Sequence, residues 1–107
     1  MLYSIKTLFA LYYNQMILLI SYDLIGRERP SEYERFTQVI KDNAGEGNYV
    51  KALYSQWFVE TTKTIGEWND MLRAASDDND SRMIVRLYAV PVGRYSAAAV
   101  DWINTKF

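Results

Sequence analysis

The chain has 107 residues, half of them apolar and 15% aromatic, with a net charge of −1; this suits one domain able to bury roughly 60–70% of its unfolded surface and excludes a disordered chain. Cysteine and histidine are both missing, which excludes disulfides, thiolate nucleophiles, Cys-based zinc sites and the usual general base. Any catalysis must use carboxylates, hydroxyls, Lys, Arg, or a hard ion such as magnesium or manganese on carboxylate ligands. The charge balance also argues against a nonspecific nucleic-acid coat, whose affinity comes from counterion release, but the 12 Lys and Arg leave room for a local basic patch.

Residues 1–15, MLYSIKTLFALYYNQ, place Leu2, Ile5, Leu8 or Phe9, and Tyr12 at helical spacing. Lys6 is a thin n-region for a signal peptide, and no small-x-small cleavage site follows. Asn14 and Gln15 end the apolar run well short of the ~18 residues of a membrane span. The segment is therefore expected to be an N-terminal extension, a docking helix or swapped arm able to engage a protein partner, or else sequence upstream of a natural start at Met16. No membrane association and a cytoplasmic location are expected.

Met16–Tyr22 reads as a buried central strand, because its apolar residues run without alternation. It ends on Asp23, ahead of the charged loop Gly26-Arg27-Glu28-Arg29-Pro30. Pro30 suits a first helical turn, and SEYERFTQVIKDNAGEG places Tyr33, Phe36, Thr37 and Ile40 on one helix face, with Gly45 and Gly47 ending it. The segment NYVKALYSQWFVETT, residues 48 to 62, is rich in aromatic and β-branched residues but long for one strand. It predicts two short strands or one bent one, with the break near Ser55-Gln56. Thr64-Ile65-Gly66-Glu67 is a capping box, and Ile65, Trp68, Met71, Leu72 and Ala75 then form an amphipathic stripe. After the acidic run from Asp77 to Ser81, RMIVRLYAV is a last strand with Met83, Val85, Leu87 and Ala89 on one face and Arg86 and Tyr88 on the other. Residues 96–106 predict a terminal helix with Ala97, Val100 and Ile103 or Trp102 as its contact face.

The order strand, helix, strand, strand, helix, strand predicts an α+β domain over 16–107, of the ferredoxin-like split βαβ kind (β-α-β-β-α-β) with the N-terminal apolar extension and the C-terminal helix added. Two helices would cover one face of the sheet. A second copy of the chain or the terminal segments would cover the other.

Three stretches carry a resemblance: ILLISYDL (17–24), SQWFVET (55–61) with the capped helix that follows, and DDNDSRMIVRLYAV (77–90). With their spacers they span residues 16–90, and they resemble the small CRISPR-associated protein 2 family and its relatives, the SinR-like proteins and virulence-associated protein D. The resemblance implies a ferredoxin-like homodimer in which the Asp closing the first strand faces its symmetry mate and binds a divalent metal; Asp23 is the matching position. Members of these groups are described as metal-dependent nucleases, as non-catalytic DNA-binding parts of the spacer-acquisition complex, or as RNA-cleaving toxins. The N-terminal extension, the terminal helix and the slightly acidic charge depart from the CRISPR members.

Asp23 thus has two readings: a turn residue that stops a strand, or a catalytic and metal-binding carboxylate. Two carboxylates meeting across a two-fold axis repel unless one keeps its proton or a cation, Mg2+ or Mn2+, sits between them, and such an ion could activate water toward a phosphodiester of RNA or DNA. Arg27, Arg29 and Lys51 near this end, and Arg82, Arg86 and Arg94 near the other, are candidate phosphate contacts or simple surface charge. Ser21, Tyr22 and Ser55 are supporting polar groups; without histidine neither serine is an activated nucleophile. Asp77, Asp78 and Asp80 lack the terminal Glu of a calcium loop and read as a polar turn. Tyr22, Tyr49, Tyr54, Trp57 and Tyr88 could stack bases or pack in a core or dimer interface, and no RNA-recognition-motif signature accompanies them. The expected function is a small dimeric, metal-dependent endoribonuclease-like protein, with a non-catalytic dimeric module binding nucleic acid, a nucleotide or a protein as the alternative.

Overall fold

The computed structural model describes residues 15–24, 30–76 and 80–107. Four strands, β1 (Met16–Asp23), β2 (Tyr49–Leu53), β3 (Gln56–Thr61) and β4 (Ser81–Leu87), form one sheet in the order β2-β3-β1-β4 with every neighbouring pair antiparallel. Among the described residues three helices accompany it: α1 (Pro30–Ala44), α2 (Ile65–Ala74) and α3 (Ala97–Asn104). The chain is thus α+β. Among the described residues no helix is long and apolar enough to cross a membrane.

The unbroken apolar run of β1 reflects its central place, since both of its faces meet hydrophobic cover. Leu18, Ile20, Tyr22 and, just past the strand, Leu24 enter one core, with Trp57 and Val59 of β3, Phe36 and Ile40 of α1, and Trp68 and Leu72 of α2. Ile17 and Leu19 enter the other, with Phe58 of β3, Ala52 of β2, and Ala99 and Ile103 of α3. Each large apolar side chain buried in this way contributes about 1.5–3 kcal/mol.

Local chemistry sets the element ends. α1 stops where Gly45 takes φ +87°, a left-handed conformation that costs glycine little, and its N–H returns to the Lys41 carbonyl at 3.0 Å. The long aromatic segment resolves into a hairpin, β2 and β3, turning at Tyr54-Ser55, one residue before the expected break. The capping box forms as read: the Glu67 N–H donates to Thr64 Oγ1 at 3.1 Å, and the Thr64 N–H donates to the Glu67 carboxylate at 3.4 Å. Trp68 is fully buried, and its indole N–H donates to Thr61 Oγ1 at 3.1 Å.

Two faces differ from the sequence expectation. Ile65, in the first turn of α2 beside the cap, is exposed, so the buried stripe begins at Trp68. In α3 the contact residues are Ala99, Ile103 and Trp102, whereas Ala97 is exposed. Ser96 sets this rotation. It caps the helix through the Ala99 N–H (3.2 Å) while its own hydroxyl and N–H bond to the Lys51 and Ala52 carbonyls of β2, at 2.7 and 3.0 Å. Positions 99 and 103, one turn apart, then face the sheet together. Trp102 stacks on Phe58 and donates to the Gly47 carbonyl at 3.0 Å, and Lys106 pairs with Glu60 at 2.8 Å.

The terminal helix therefore supplies part of the expected cover for the second face, over β2 and β3. On the β1–β4 half of that face, Met83 and Val85 remain 63% and 42% exposed, with Leu19 opposite Val85 in register. Residues 1–14 of the proposed arm lie outside the described residues.

Candidate functional site

Strand alternation divides the expected site residues between the two faces of the sheet. Asp23 ends β1 opposite Ser81 of β4 and is exposed. It shares its face with Leu19 and with Ser21, which pairs in register with Met83 of β4 and Gln56 of β3. Among the described residues no hydrogen bond or ion pair engages the Asp23 carboxylate. The backbone beyond Leu24, from which a turn-forming Asp would accept hydrogen bonds, lies outside the described residues. The same end of the sheet carries Ser55, whose carbonyl accepts the Tyr22 N–H at 3.1 Å.

Tyr22 and Lys51 lie on the opposite face, under α1. Lys51 is thus separated from Asp23 by the sheet itself, and the expected grouping of the two around one phosphate is not what the strand parity produces. Arg27 and Arg29, and with them Asp77 and Asp78, lie outside the described residues. Arg82 donates through Nε to the Asn69 side chain at 2.7 Å, and Arg86 lies 4.9 Å from the Tyr88 ring centroid, so both have intramolecular partners. Asp80 is buried.

No group of three or more Asp and Glu residues able to hold a metal occurs among the described residues. Among the described residues, Asp23 is the expected metal-binding carboxylate at this rim.

On the α1 face the structure assembles a cleft of about 410 Å³ between α1 and the tip of the β2–β3 hairpin. Tyr22 forms its floor. The phenol is 3% exposed, and its oxygen accepts from the Trp57 indole N–H at 3.1 Å. Burial raises the Tyr22 pKa above the ordinary 10.0, while hydrogen bonds with Thr37 and Trp57 oppose part of that rise. Rings continue outward from this floor. Tyr33 lies 5.7 Å from Tyr22, Tyr54 lies 5.3 Å from Tyr33, and the Lys51 ammonium sits 4.9 Å from the Tyr54 centroid. Glu34, Thr37 and Gln38 of α1 complete the wall.

Sequence reasoning named Tyr22, Lys51 and Tyr54 but did not join them to Tyr33, Glu34, Thr37 and Gln38. The available signal was the paired spacing in EYERFTQ, which sets 33 with 37 and 34 with 38 along the helix. What the sequence lacked was the knowledge that the hairpin tip folds back against that turn of α1. No family model matches the chain, and no curated protein sequence matches it.

Proposed function

We propose that the chain is a ferredoxin-like nucleic-acid-processing protein of the CRISPR-associated protein 2 and SinR-like kind, acting as a homodimer with divalent-cation-dependent endoribonuclease activity centred on Asp23. The sheet order and its antiparallel pairing agree with the split βαβ frame. The observation that carries the functional reading is the position of Asp23: an exposed carboxylate without a partner among the described residues, at the end of the buried central strand, on the face where Met83 and Val85 are exposed. Pairing of two copies through that apolar half-face removes Met83 and Val85 from water and brings Asp23 to the rim of the interface in both copies.

In the dimer the two Asp23 carboxylates hold the ion, Mg2+ or Mn2+. Bound there, it supplies charge neutralisation and a water of lowered pKa. Asp23 orients the ion at the sheet end, and the apolar half-face fixes the two copies relative to one another.

The test is cleavage of a labelled single-stranded RNA with manganese by the wild-type chain and Asp23→Asn, together with manganese titration followed by electron paramagnetic resonance. The proposal expects chelator-sensitive cleavage that falls at least ~100-fold in the variant, and one tightly bound ion per two chains. Equal cleavage by both proteins, or none by the wild type, overturns it. A second reading, a non-catalytic binding module, is favoured by the tyrosine-lined cleft on the opposite face.

A further inference from the structure

We infer that the cleft between α1 and the β2–β3 hairpin is a recognition site for a guanine nucleotide, either free or as an unpaired guanosine in a single strand. The inference deepens the binding-module reading and does not depend on Asp23, which lies on the other face of the sheet.

The cleft's size comes first. About 410 Å³ lies within the ~300–1,000 Å³ range of small-molecule sites. Its chemistry then narrows the ligand. Tyr54 is 71% exposed although its ring borders the cleft, and it meets Tyr33 at an interplanar angle of 49°. Two tilted phenol rings with one face open to solvent suit a flat aromatic ligand, since bases taken from a single strand stack on such rings.

The charges are arranged asymmetrically. On the hairpin side Lys51 already places a cation over Tyr54. A cationic ligand would meet repulsion there, whereas a phosphate would gain attraction. On the helix side Glu34 is exposed, with no hydrogen bond or ion pair among the described residues. A carboxylate only accepts hydrogen bonds. One turn further along, Gln38 donates its amide to Asp42 at 2.7 Å, which leaves its carbonyl oxygen as an acceptor. The helix wall therefore offers the carboxylate of Glu34 as its charged acceptor, and the hairpin wall is cationic.

The matching ligand is a flat ring with adjacent N–H donors on one edge and an anionic group on the other side. Among the nucleobases, guanine places N1–H and the N2 amino group side by side, so that one carboxylate can take both in a charge-assisted pair. Adenine offers a single amino donor beside a ring acceptor, which would face Glu34 unfavourably. Uracil and cytosine lack a pair of adjacent donors and have a smaller stacking surface.

The experiment is calorimetric titration of the full chain with GMP, AMP, CMP, UMP and guanosine, and with a short single-stranded oligoribonucleotide containing one guanosine or none. GMP is expected to bind at least ~10-fold more tightly than the other three nucleotides, and guanosine more weakly than GMP. Glu34→Gln should abolish the preference for guanine. Tyr54→Ala should weaken GMP binding about 10-fold or more, and Lys51→Ala should weaken GMP but not guanosine. All three positions are exposed, so unchanged melting temperatures confirm that the variants fold. Tighter binding of the guanosine-containing strand than of GMP identifies a strand as the source; the reverse identifies a free nucleotide; both support the site. Retention of GMP binding by Asp23→Asn separates this site from the proposed metal rim. No binding of any nucleotide at millimolar concentration, or equal affinity for GMP and AMP that Glu34→Gln leaves unchanged, overturns the inference.

Discussion

Tyr22→Phe removes one oxygen atom from the floor of the cleft, and the structure sets the size of the consequence. The Trp57 indole N–H donates to that oxygen at 3.1 Å, and Trp57 and Tyr22 are only 5% and 3% exposed, so removing the hydroxyl takes the acceptor from a largely buried donor. An unsatisfied buried donor costs about 1–3 kcal/mol. The ring itself stays, and with it the contact with Phe36 at 4.7 Å, so little apolar burial is lost. Taking ~2 kcal/mol as the central value, a domain of this size should lose about 8 °C or more of melting temperature. The assay is urea denaturation of wild type, Tyr22→Phe, Trp57→Phe and the double variant. The midpoint should fall in Tyr22→Phe while the slope stays constant, and the cycle should return a coupling of about 1 kcal/mol or more between the two positions. A loss below ~0.5 kcal/mol with no coupling would refute the reasoning, because the indole N–H would then be satisfied without Tyr22.

The raised pKa of Tyr22 makes stability depend on alkaline pH. The folded state holds the phenolic proton more tightly than the unfolded chain, so this contribution is intact below the ordinary value of 10.0 and is lost as pH rises through the folded-state pKa. Denaturation midpoints measured up each side of that value should decline more steeply in the wild type than in Tyr22→Phe. Thr64→Ala deletes the cap of α2 and should destabilise by about 1 kcal/mol, with Thr64→Ser restoring most of the loss; thermal melts check both. Met83→Glu places a charge on the exposed half of the second face and should convert the proposed dimer to a monomer in sedimentation velocity, with melting behaviour that no longer varies with protein concentration.

The sequence made the frame of the molecule readable wherever one side-chain pattern admitted one environment. The unbroken apolarity of β1 marks a strand covered on both sides, and Thr64 with Glu67 marks a helix start. In each case the deciding chemistry is local. The rotation of α3 was not legible, because Ser96 fixes it through carbonyls of a strand some 45 residues away, as its hydroxyl bond to Lys51 records. The candidate sites divide in the same way. Asp23 stands out as an acid closing an apolar run, but its separation from Lys51 follows from strand parity and could be read only once the register of both strands was fixed. The cleft depends on a contact between α1 and the hairpin tip, two segments whose own patterns say nothing about where their exposed sides meet.

The attachment of Ser96 to β2 also bears on how copies of this chain can assemble. A sheet with two open borders can add neighbours on both sides and grow without limit. Here part of one border is occupied: Ser96 takes up the Lys51 and Ala52 carbonyls, while α3 packs on the face of the sheet over β2 and β3. The other border, β4, has β1 as its one strand partner among the described residues. Two carbonyls at the end of β2 are thus already engaged by the residue that caps the terminal helix, and a neighbouring strand would have to displace those bonds to pair there.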